Sequence, residues 1–368
     1  MHDWIKRRTS KVIYVGNVPI GGNNSIVVQS MTNTFTEDVE STVNQIKRLE
    51  KVGCEIVRVA VPSIEAAEKI PEIKKRISIP LIADIHFDYK LALISMEKGA
   101  DCIRINPGNI GEVWKIKEIV KLARGMNIPI RVGVNSGSIP KKILSKYGFP
   151  SPQALAEAAL DYAKLFEDFG FTNMKFSLKG SDVKTTVIAN QEFASKTDYP
   201  IHIGITEAGT LLSGAVKSAV GIGILLYLGI GDTLRVSLST DPVEEVKVAY
   251  KILSALELRK VGVEVISCPT CGRCMVDVQA IAEEVERKLE GIKKPLKVAV
   301  MGCAVNGPGE ARFADVGIAG AGSRFILFVK GRVIEKNLTK EAALNRLLEE
   351  VQKLAEEKNE DNGFYREH

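Results

Sequence analysis

The residues of this chain whose types and spacing could do chemistry fall into two sets. The first is Ser-Cys-Pro-Thr-Cys-Gly-Arg-Cys at 267–274 together with Gly-Cys-Ala-Val-Asn-Gly-Pro-Gly-Glu at 302–310. Cys268 and Cys271 form a C-x-x-C turn directly after the strand-like run Val-Glu-Val-Ile-Ser, and Cys303 ends the next run, Leu-Lys-Val-Ala-Val-Met-Gly. Two neighbouring strand ends can aim three thiolates at one point, a spacing that fits zinc or an iron–sulfur cluster. A closed zinc site would recruit Cys274 as fourth thiolate and be purely structural. Against it stand the single cysteine of the downstream Gly-rich loop, where a zinc ribbon carries a second C-x-x-C, and Glu310 in the same loop. A carboxylate is a harder, weaker ligand for iron than a thiolate, so three thiolates and one carboxylate would keep a metal that substrate oxygen can claim.

The second set is cationic. Arg58, Arg104, Arg131, Lys175, His202 and Arg235 fall in one parity of successive β-branched runs. Two residues on stand Ala60, Asn106, Gly133, Ser177, Gly204 and Ser237, and a third level brings Gly108, Asn135, Lys179, Thr206 and Ser239. Asp84 and His86 come from the third run. The opposite parity (Val57, Val59, Ile103, Ile105, Val132, Val134 and their equivalents) is apolar, and alternate strand residues face opposite sides of a sheet. The apolar side therefore packs on helices and the charged side faces inward. Buried cations cost several kcal/mol each unless paired, and the carboxylates expected at these levels, Asp84 and Glu207, are too few. An anion should enter where the small residues leave room. Guanidinium forks and the backbone-rich loops Asn-Pro-Gly-Asn and Asn-Ser-Gly-Ser suit phosphate oxygens.

The elements that position these residues can be counted. Eight strand-like runs alternate with amphipathic segments such as Thr-Val-Asn-Gln-Ile-Lys-Arg-Leu-Glu-Lys, several ending at glycine. Eight strand–helix units point to an α/β fold of the (β/α)8 TIM-barrel type, with a doubly wound open sheet as the alternative. Near Arg259 the pattern changes to a smaller α+β unit: two strands around a helix, then Ala-Asp-Val-Gly-Ile-Ala-Gly, a hairpin with a Lys-Gly turn, and a last helix through 339–357. The closing segment Glu-Lys-Asn-Glu-Asp-Asn-Gly-Phe-Tyr-Arg-Glu-His reads as frayed. The expected domains are 1–258 and 259–368.

Composition narrows the classes. With 368 residues, 45% hydrophobic and 26% charged, and a formal charge of +5, the chain reads as a soluble cytoplasmic protein with no bias toward nucleic acid. The only membrane-like run, 215–230, is short and contains Lys217, so a buried helix is expected there and no membrane span. Four of six cysteines lie within 268–303, as in a metal or redox site in a reducing compartment. Cys54 and Cys102 read as small buried hydrophobes.

Together, Val-Arg-Val-Ala-Val-Pro, Ala-Asp-Ile-His-Phe, Arg-Ile-Asn-Pro-Gly-Asn, Arg-Val-Gly-Val-Asn-Ser-Gly-Ser, Phe-Ser-Leu-Lys-Gly-Ser, Thr-Glu-Ala-Gly, Ser-Cys-Pro-Thr-Cys-Gly-Arg and Gly-Cys-Ala-Val-Asn-Gly-Pro-Gly-Glu resemble the bacterial 4-hydroxy-3-methylbut-2-enyl diphosphate synthase family of the non-mevalonate isoprenoid pathway. The resemblance implies a [4Fe–4S] cluster on Cys268, Cys271, Cys303 and Glu310, with Cys274 a bystander that the family motif does not require. It implies reductive ring opening of 2-C-methyl-D-erythritol 2,4-cyclodiphosphate with electrons from flavodoxin or ferredoxin. Arg58, Arg104, Arg131, Lys179 and Arg235 would grip the diphosphate, and Asn106, Asn135 and Ser237 would complete its hydrogen bonds. Asp84, His86 and Glu207 would handle protons, and Asn306 is placed to touch the substrate hydroxyl. The family also implies a head-to-tail homodimer whose active site is shared between chains. Three other classes compete: a radical enzyme, which would carry its cysteines early in the barrel; a pterin-type transferase barrel, which leaves the cysteines unexplained; and an RNA-binding barrel with a zinc ribbon.

Overall fold

The computed structural model describes residues 4–180, 182–303 and 313–357, in two compact units, Met1–Arg259 and Lys260–His368.

The first unit is a barrel. Its strands are preceded by a hairpin, β1 (Ile13–Val15) and β2 (Val18–Ile20). The barrel strands follow as β3 (Val27–Met31), β4 (Ile56–Ala60), β5 (Leu81–Asp84), β6 (Cys102–Ile105), β7 (Ile130–Asn135), β8 (Met174–Lys179), β9 (His202–Ile203) and β10 (Thr233–Leu234). Neighbours run parallel from β8 back to β3 and on through β10 to β9. A single bridge, Phe176 to Ile201, joins β8 to β9 and closes the ring. The alternating apolar parity packs outward as expected: Val57, Val59, Ile103, Ile105, Val132 and Val134 join one large core with the helices. The longer helices contribute a stripe at helical spacing. In Val39–Lys51, for example, Val39, Val43, Ile46 and Leu49 are buried, and Asp38 caps the start by accepting the Ser41 amide.

Several local features depart from the sequence reading. The hairpin was not expected; its Ile13, Val15 and Ile20 pack with Val27, Ile56, Ile82 and Cys102, the first inward residues of β3 to β6. An apolar floor thus underlies the charged lumen. Cys102 belongs to it, and Cys54 lies in the main core, as expected of both. Strands β9 and β10 are two residues each, shorter than their β-branched runs. The expected buried helix is Leu211–Tyr227, but only one side of it is buried, at Gly214, Ser218, Gly221, Ile222, Leu225 and Leu226. Leu212, Val216, Val220, Ile224 and Tyr227 are exposed along its outer side. A barrel helix has one face toward the sheet, and apolar composition cannot bury the other. Among the described residues no helix is long and apolar enough to cross a membrane.

The second unit is a five-stranded sheet in sequential order: β11 (Val263–Ser267), β12 (Leu296–Met301), β13 (Val316–Ala321), β14 (Arg324–Val329) and β15 (Arg332–Leu338). The first three are parallel and the last two antiparallel, joined by the two-residue Lys330–Gly331 turn. Helices Val278–Lys288 and Lys340–Glu356 place Ile281, Val285, Leu347 and Val351 against Val298, Val300 and Ile318 of the sheet. The closing segment expected to fray begins at the last described residue and otherwise lies outside the described residues.

Candidate functional site

The inward parity of the barrel strands is charged and buried. Asp84, Arg104, Arg131 and Lys175 are successive register partners on β5 to β8. All four are under one-tenth exposed, with Lys175 fully buried. Asp84 is the hub: its carboxylate takes Arg104 Nη1 at 3.1 Å and lies 3.6 Å from Arg58 Nε and 3.6 Å from His86 Nε2. Burial alone would push this carboxyl up, but Arg58, Arg104 and Arg131 override it and hold it down to about 2. Gly133 makes the space: a Cβ there would sit 2.8 Å from Arg104 Nε.

The other carboxylate that pairs with these cations is not the expected one. Glu207 is exposed at the end of the β9 segment with a φ of 53°, and its carbonyl accepts Lys217 Nζ at 3.3 Å. In its place Glu245, from the first turn of helix Pro242–Ala255, is 3% exposed and takes Arg235 Nε and Nη2 at 3.2 Å each. It also accepts Ser30 Oγ and the Leu238 amide. Sequence reasoning missed Glu245; the signal was the acidic pair Glu244–Glu245 just after the eighth run.

Even so, six cations (Arg58, Arg104, Arg131, Lys175, Lys179 and Arg235) stand against these two carboxylates among the described residues. Arg104 Nε, Arg131 Nε and Nη1, and Lys175 Nζ are buried with no protein partner. Burial, reinforced by the neighbouring guanidiniums, lowers Arg131 and Lys179 well below their ordinary values. The same cause brings Lys175 down to about 8 and Arg58 to about 10. His202 is also driven down, chiefly by burial, and its Nδ1 lies 2.8 Å from Thr233 Oγ1; it is a neutral member of the cluster.

Above the cations, two loops are tied by one serine that sequence reasoning did not single out. Ser138 Oγ accepts from Asn106 Nδ2 at 2.7 Å and donates to the Asn135 carbonyl at 3.0 Å. Asn106 Oδ1 accepts the Gly108 amide. The signal for Ser138 was its spacing from Asn135, a capping box over the short helical turn Ser136–Ser138. Ser237 is half-buried, and His86 is exposed beside Asp84. The expected cations and Asp84 are thus brought together, and Glu207 is exposed.

In the second unit Cys268 follows β11 and Cys303 follows β12, and these strands are parallel partners up to Ser267 and Val300. The Gly302 amide donates to Cys268 Sγ at 3.1 Å, so the two strand ends meet at that sulfur. Cys271 is exposed, and its thiol is drawn below the ordinary range first by the Arg273 amide. The Cys274 thiol donates to the Val276 carbonyl at 3.1 Å and lies so close to Gly302 that a Cβ there would come within 2.6 Å of it. Among the described residues no three metal-binding side chains are gathered at one point. Asn306 and Glu310 lie outside the described residues.

Comparison with known proteins follows this division. The GcpE TIM-barrel domain matches residues 10–250 and the GcpE protein C-terminal domain matches 264–353. The 4-hydroxy-3-methylbut-2-en-1-yl diphosphate synthase (flavodoxin) of Caldanaerobacter subterraneus subsp. tengcongensis is 59% identical over 95% of this chain and 99% of its own length. Its counterparts in Sulfurihydrogenibium sp. and Thermodesulfovibrio yellowstonii are 56% and 54% identical over 96% and 95% of this chain and the whole of their own. Among solved structures, dihydropteroate synthases from Stenotrophomonas maltophilia and Yersinia pestis share 14% and 10% identity at a TM-score of 0.50. They cover 67% and 68% of this chain and 98% of their own, a likeness of fold alone. The two family matches and the high identity over nearly the whole chain place this protein in the GcpE family of 4-hydroxy-3-methylbut-2-en-1-yl diphosphate synthases, a family of enzymes.

Proposed function

We propose that this chain reduces and opens the ring of 2-C-methyl-D-erythritol 2,4-cyclodiphosphate, with loss of water, to give 4-hydroxy-3-methylbut-2-enyl diphosphate. The observation that carries the reading is the buried lumen in which six cations meet two carboxylates. Its unpartnered N–H donors fit the oxygens of two linked phosphates. The names of the relatives support the product and flavodoxin as electron donor; ferredoxin is the alternative. In the reaction two electrons and a proton enter, the ring C–O bond breaks with its electron pair going to a phosphate oxygen, and a hydroxyl takes up the proton and departs as water.

Arg58, Arg104, Arg131, Lys179 and Arg235 bind the cyclic diphosphate and stabilise the charge that grows on the departing phosphate oxygen, where fixed cations in a dry site act most strongly. Asn135 and Ser237 add hydrogen bonds. Asn106, with both ends of its amide engaged, acts by holding the loop at Gly108 and Ser138 in place. Asp84 stays ionised at neutral pH and orients Arg58, Arg104 and His86. The exposed His86 and Glu207 are the groups left to move a proton.

The donor chemistry of the second unit supports an iron–sulfur group: Cys268 and Cys303 follow two adjacent strands, Cys271 follows Cys268 in a C-x-x-C turn, Cys268 already accepts a backbone N–H, and Cys274 is turned to a carbonyl. Cys268, Cys271 and Cys303, with Glu310, would hold a [4Fe–4S] cluster. When bound, such a cluster supplies the electrons to the substrate. Asn306 is assigned to the substrate hydroxyl. A cytoplasmic head-to-tail homodimer, in which each site is built from two chains, belongs to the same proposal.

Anaerobic purification followed by iron, sulfide and zinc analysis, with turnover under reduced flavodoxin, tests it. A brown protein with about four irons per chain is expected; a colourless zinc protein without turnover would end the reading. Mixing Cys303→Ala and Arg131→Ala chains should restore part of the activity, and no recovery would count against the shared site.

A further inference from the structure

Met31, at the end of β3, is not part of the function argued so far, yet two of the phosphate-gripping arginines converge on it. Arg58 places Nε at 3.2 Å and Nη2 at 2.9 Å from the Met31 sulfur, and Arg235 brings Nη1 to 3.7 Å. Arg58 is the register partner of Met31 on β4, whereas Arg235 arrives from the other side, just past β10. Each arginine also faces a carboxylate: Arg58 lies 3.6 Å from Asp84, and Arg235 lies 3.2 Å from Glu245. The sulfur therefore sits where two guanidiniums that repel each other meet.

We propose that Met31 is a positioning residue for the diphosphate site, a weak, uncharged acceptor that holds the Arg58 and Arg235 guanidiniums inside the lumen and yields them to phosphate oxygens. The inference deepens the diphosphate reading and rests on it.

The chemistry of the acceptor is the reason for a thioether. A carboxylate at position 31 would neutralise one of the surplus charges and compete with the ligand. An aliphatic side chain would offer the N–H groups nothing, and the two arginines would be free to separate under their repulsion. An amide oxygen would accept more strongly and be harder to displace. Sulfur accepts weakly and is polarisable, while an N–H to a phosphate oxygen is charge-assisted and roughly twice as strong as a neutral hydrogen bond. Exchanging one for the other is favourable, and the positive potential of the empty lumen is left intact. Ser30, the neighbouring residue of β3, bonds Glu245, so two consecutive side chains of one strand fix the Arg235 environment from both of its sides.

The test is binding of inorganic pyrophosphate to the full chain by calorimetry, together with steady-state kinetics of the reconstituted enzyme, for wild type, Met31→Leu and Met31→Gln. In Met31→Leu the pyrophosphate Kd and the substrate KM should rise about tenfold with kcat within about twofold, the signature of lost ground-state positioning. Met31→Gln should lose about threefold in affinity, because its arginines are held too well. Selenomethionine in place of methionine should behave as wild type. Wild-type affinity in Met31→Leu would overturn the proposal, as would a fall in kcat with KM unchanged. If Met31→Leu fails to fold, wild-type affinity in Met31→Gln overturns it instead. A wild-type chain that does not bind pyrophosphate at all would defeat the diphosphate reading itself, an outcome distinct from equal binding by all three proteins.

Discussion

The barrel lumen and the cysteine-bearing end of the second unit are organised in opposite ways. In the lumen Asp84, Arg104, Arg131 and Lys175 are fixed by strand register and burial, and what is missing is counter-charge: Arg131 and Lys175 are enclosed with open donors. At the cysteines the backbone brings two strand ends together, but Cys271 is exposed and the described thiols are not gathered. The difference follows from the ligands each would serve. Phosphate recognition gains from donors preset before the anion arrives, whereas a metal site is completed by its metal, whose binding energy organises the ligands. The lumen cations are thus strained electrostatically until an anion binds.

The largest expected effect separates the two regions. Replacing Cys303 with alanine should reduce turnover to background while pyrophosphate affinity of the barrel stays within about twofold, as for independent sites. Loss of pyrophosphate binding in that variant would break the contrast. Next comes Arg131→Met, which should lower kcat/KM by about 10²–10³, or roughly 3–4 kcal/mol of transition-state stabilisation. The same variant should make the ligand-free protein about 1–3 kcal/mol more stable to urea, because a buried cation without a full partner is replaced by an apolar chain of similar length. A less stable Arg131→Met would mean that the lumen is not strained.

How much of this was legible in the residues alone differed by region for a physical reason. Strand parity is local and exact in period, so the inward placement of Arg58, Arg104, Arg131 and Lys175 could be read from alternation without any structure. Glu245 could not be read that way, because a helix residue meets Arg235 only through the angle at which its helix leaves the strand. Glu207 departs from the alternation for the reverse reason: it is a left-handed, exposed residue just past a strand end, where strand parity no longer applies. The floor hairpin is two three-residue strands, too short for periodicity to register.

Glu245 offers the third test. It is 3% exposed and holds Arg235, Ser30 and the Leu238 amide. Glu245→Gln keeps the shape and removes the charge, so Arg235 joins the unpaired cations. Unfolding free energy should fall by about 3 kcal/mol. Saturating pyrophosphate should return part of that loss, since it supplies the missing counter-charge. Equal losses with and without pyrophosphate would mean that the pair only supports the helix and is not coupled to the anion site.

The smallest effect probes the electrostatic strain directly, through protons. Lys175 is brought down to about 8 by burial and then by Arg131 and Arg58, and Lys179 lies well below its ordinary value from the same causes. Both shifts penalise the charged form. For Lys175, between about pH 8 and the ordinary lysine range, the unfolded chain therefore binds more protons than the folded one. Its contribution to stability rises with pH across that window, and below about pH 8 its penalty is fully present. A bound polyanion acts the other way, favouring the ammonium and raising both values. Near pH 8 pyrophosphate binding should accordingly draw more protons from solvent in the wild type than in Lys175→Met, a difference from which the ligand's own ionisation cancels. Calorimetric titrations in two buffers of different ionisation enthalpy measure this number directly. Affinity should also weaken as pH is raised above about 8, because binding then has to charge a neutral amine. Lys175→Met should abolish this part of the uptake while leaving the arginine contacts in place. A net proton exchange that is unchanged in Lys175→Met would show that the surplus charge of the lumen is relieved by some group other than this lysine.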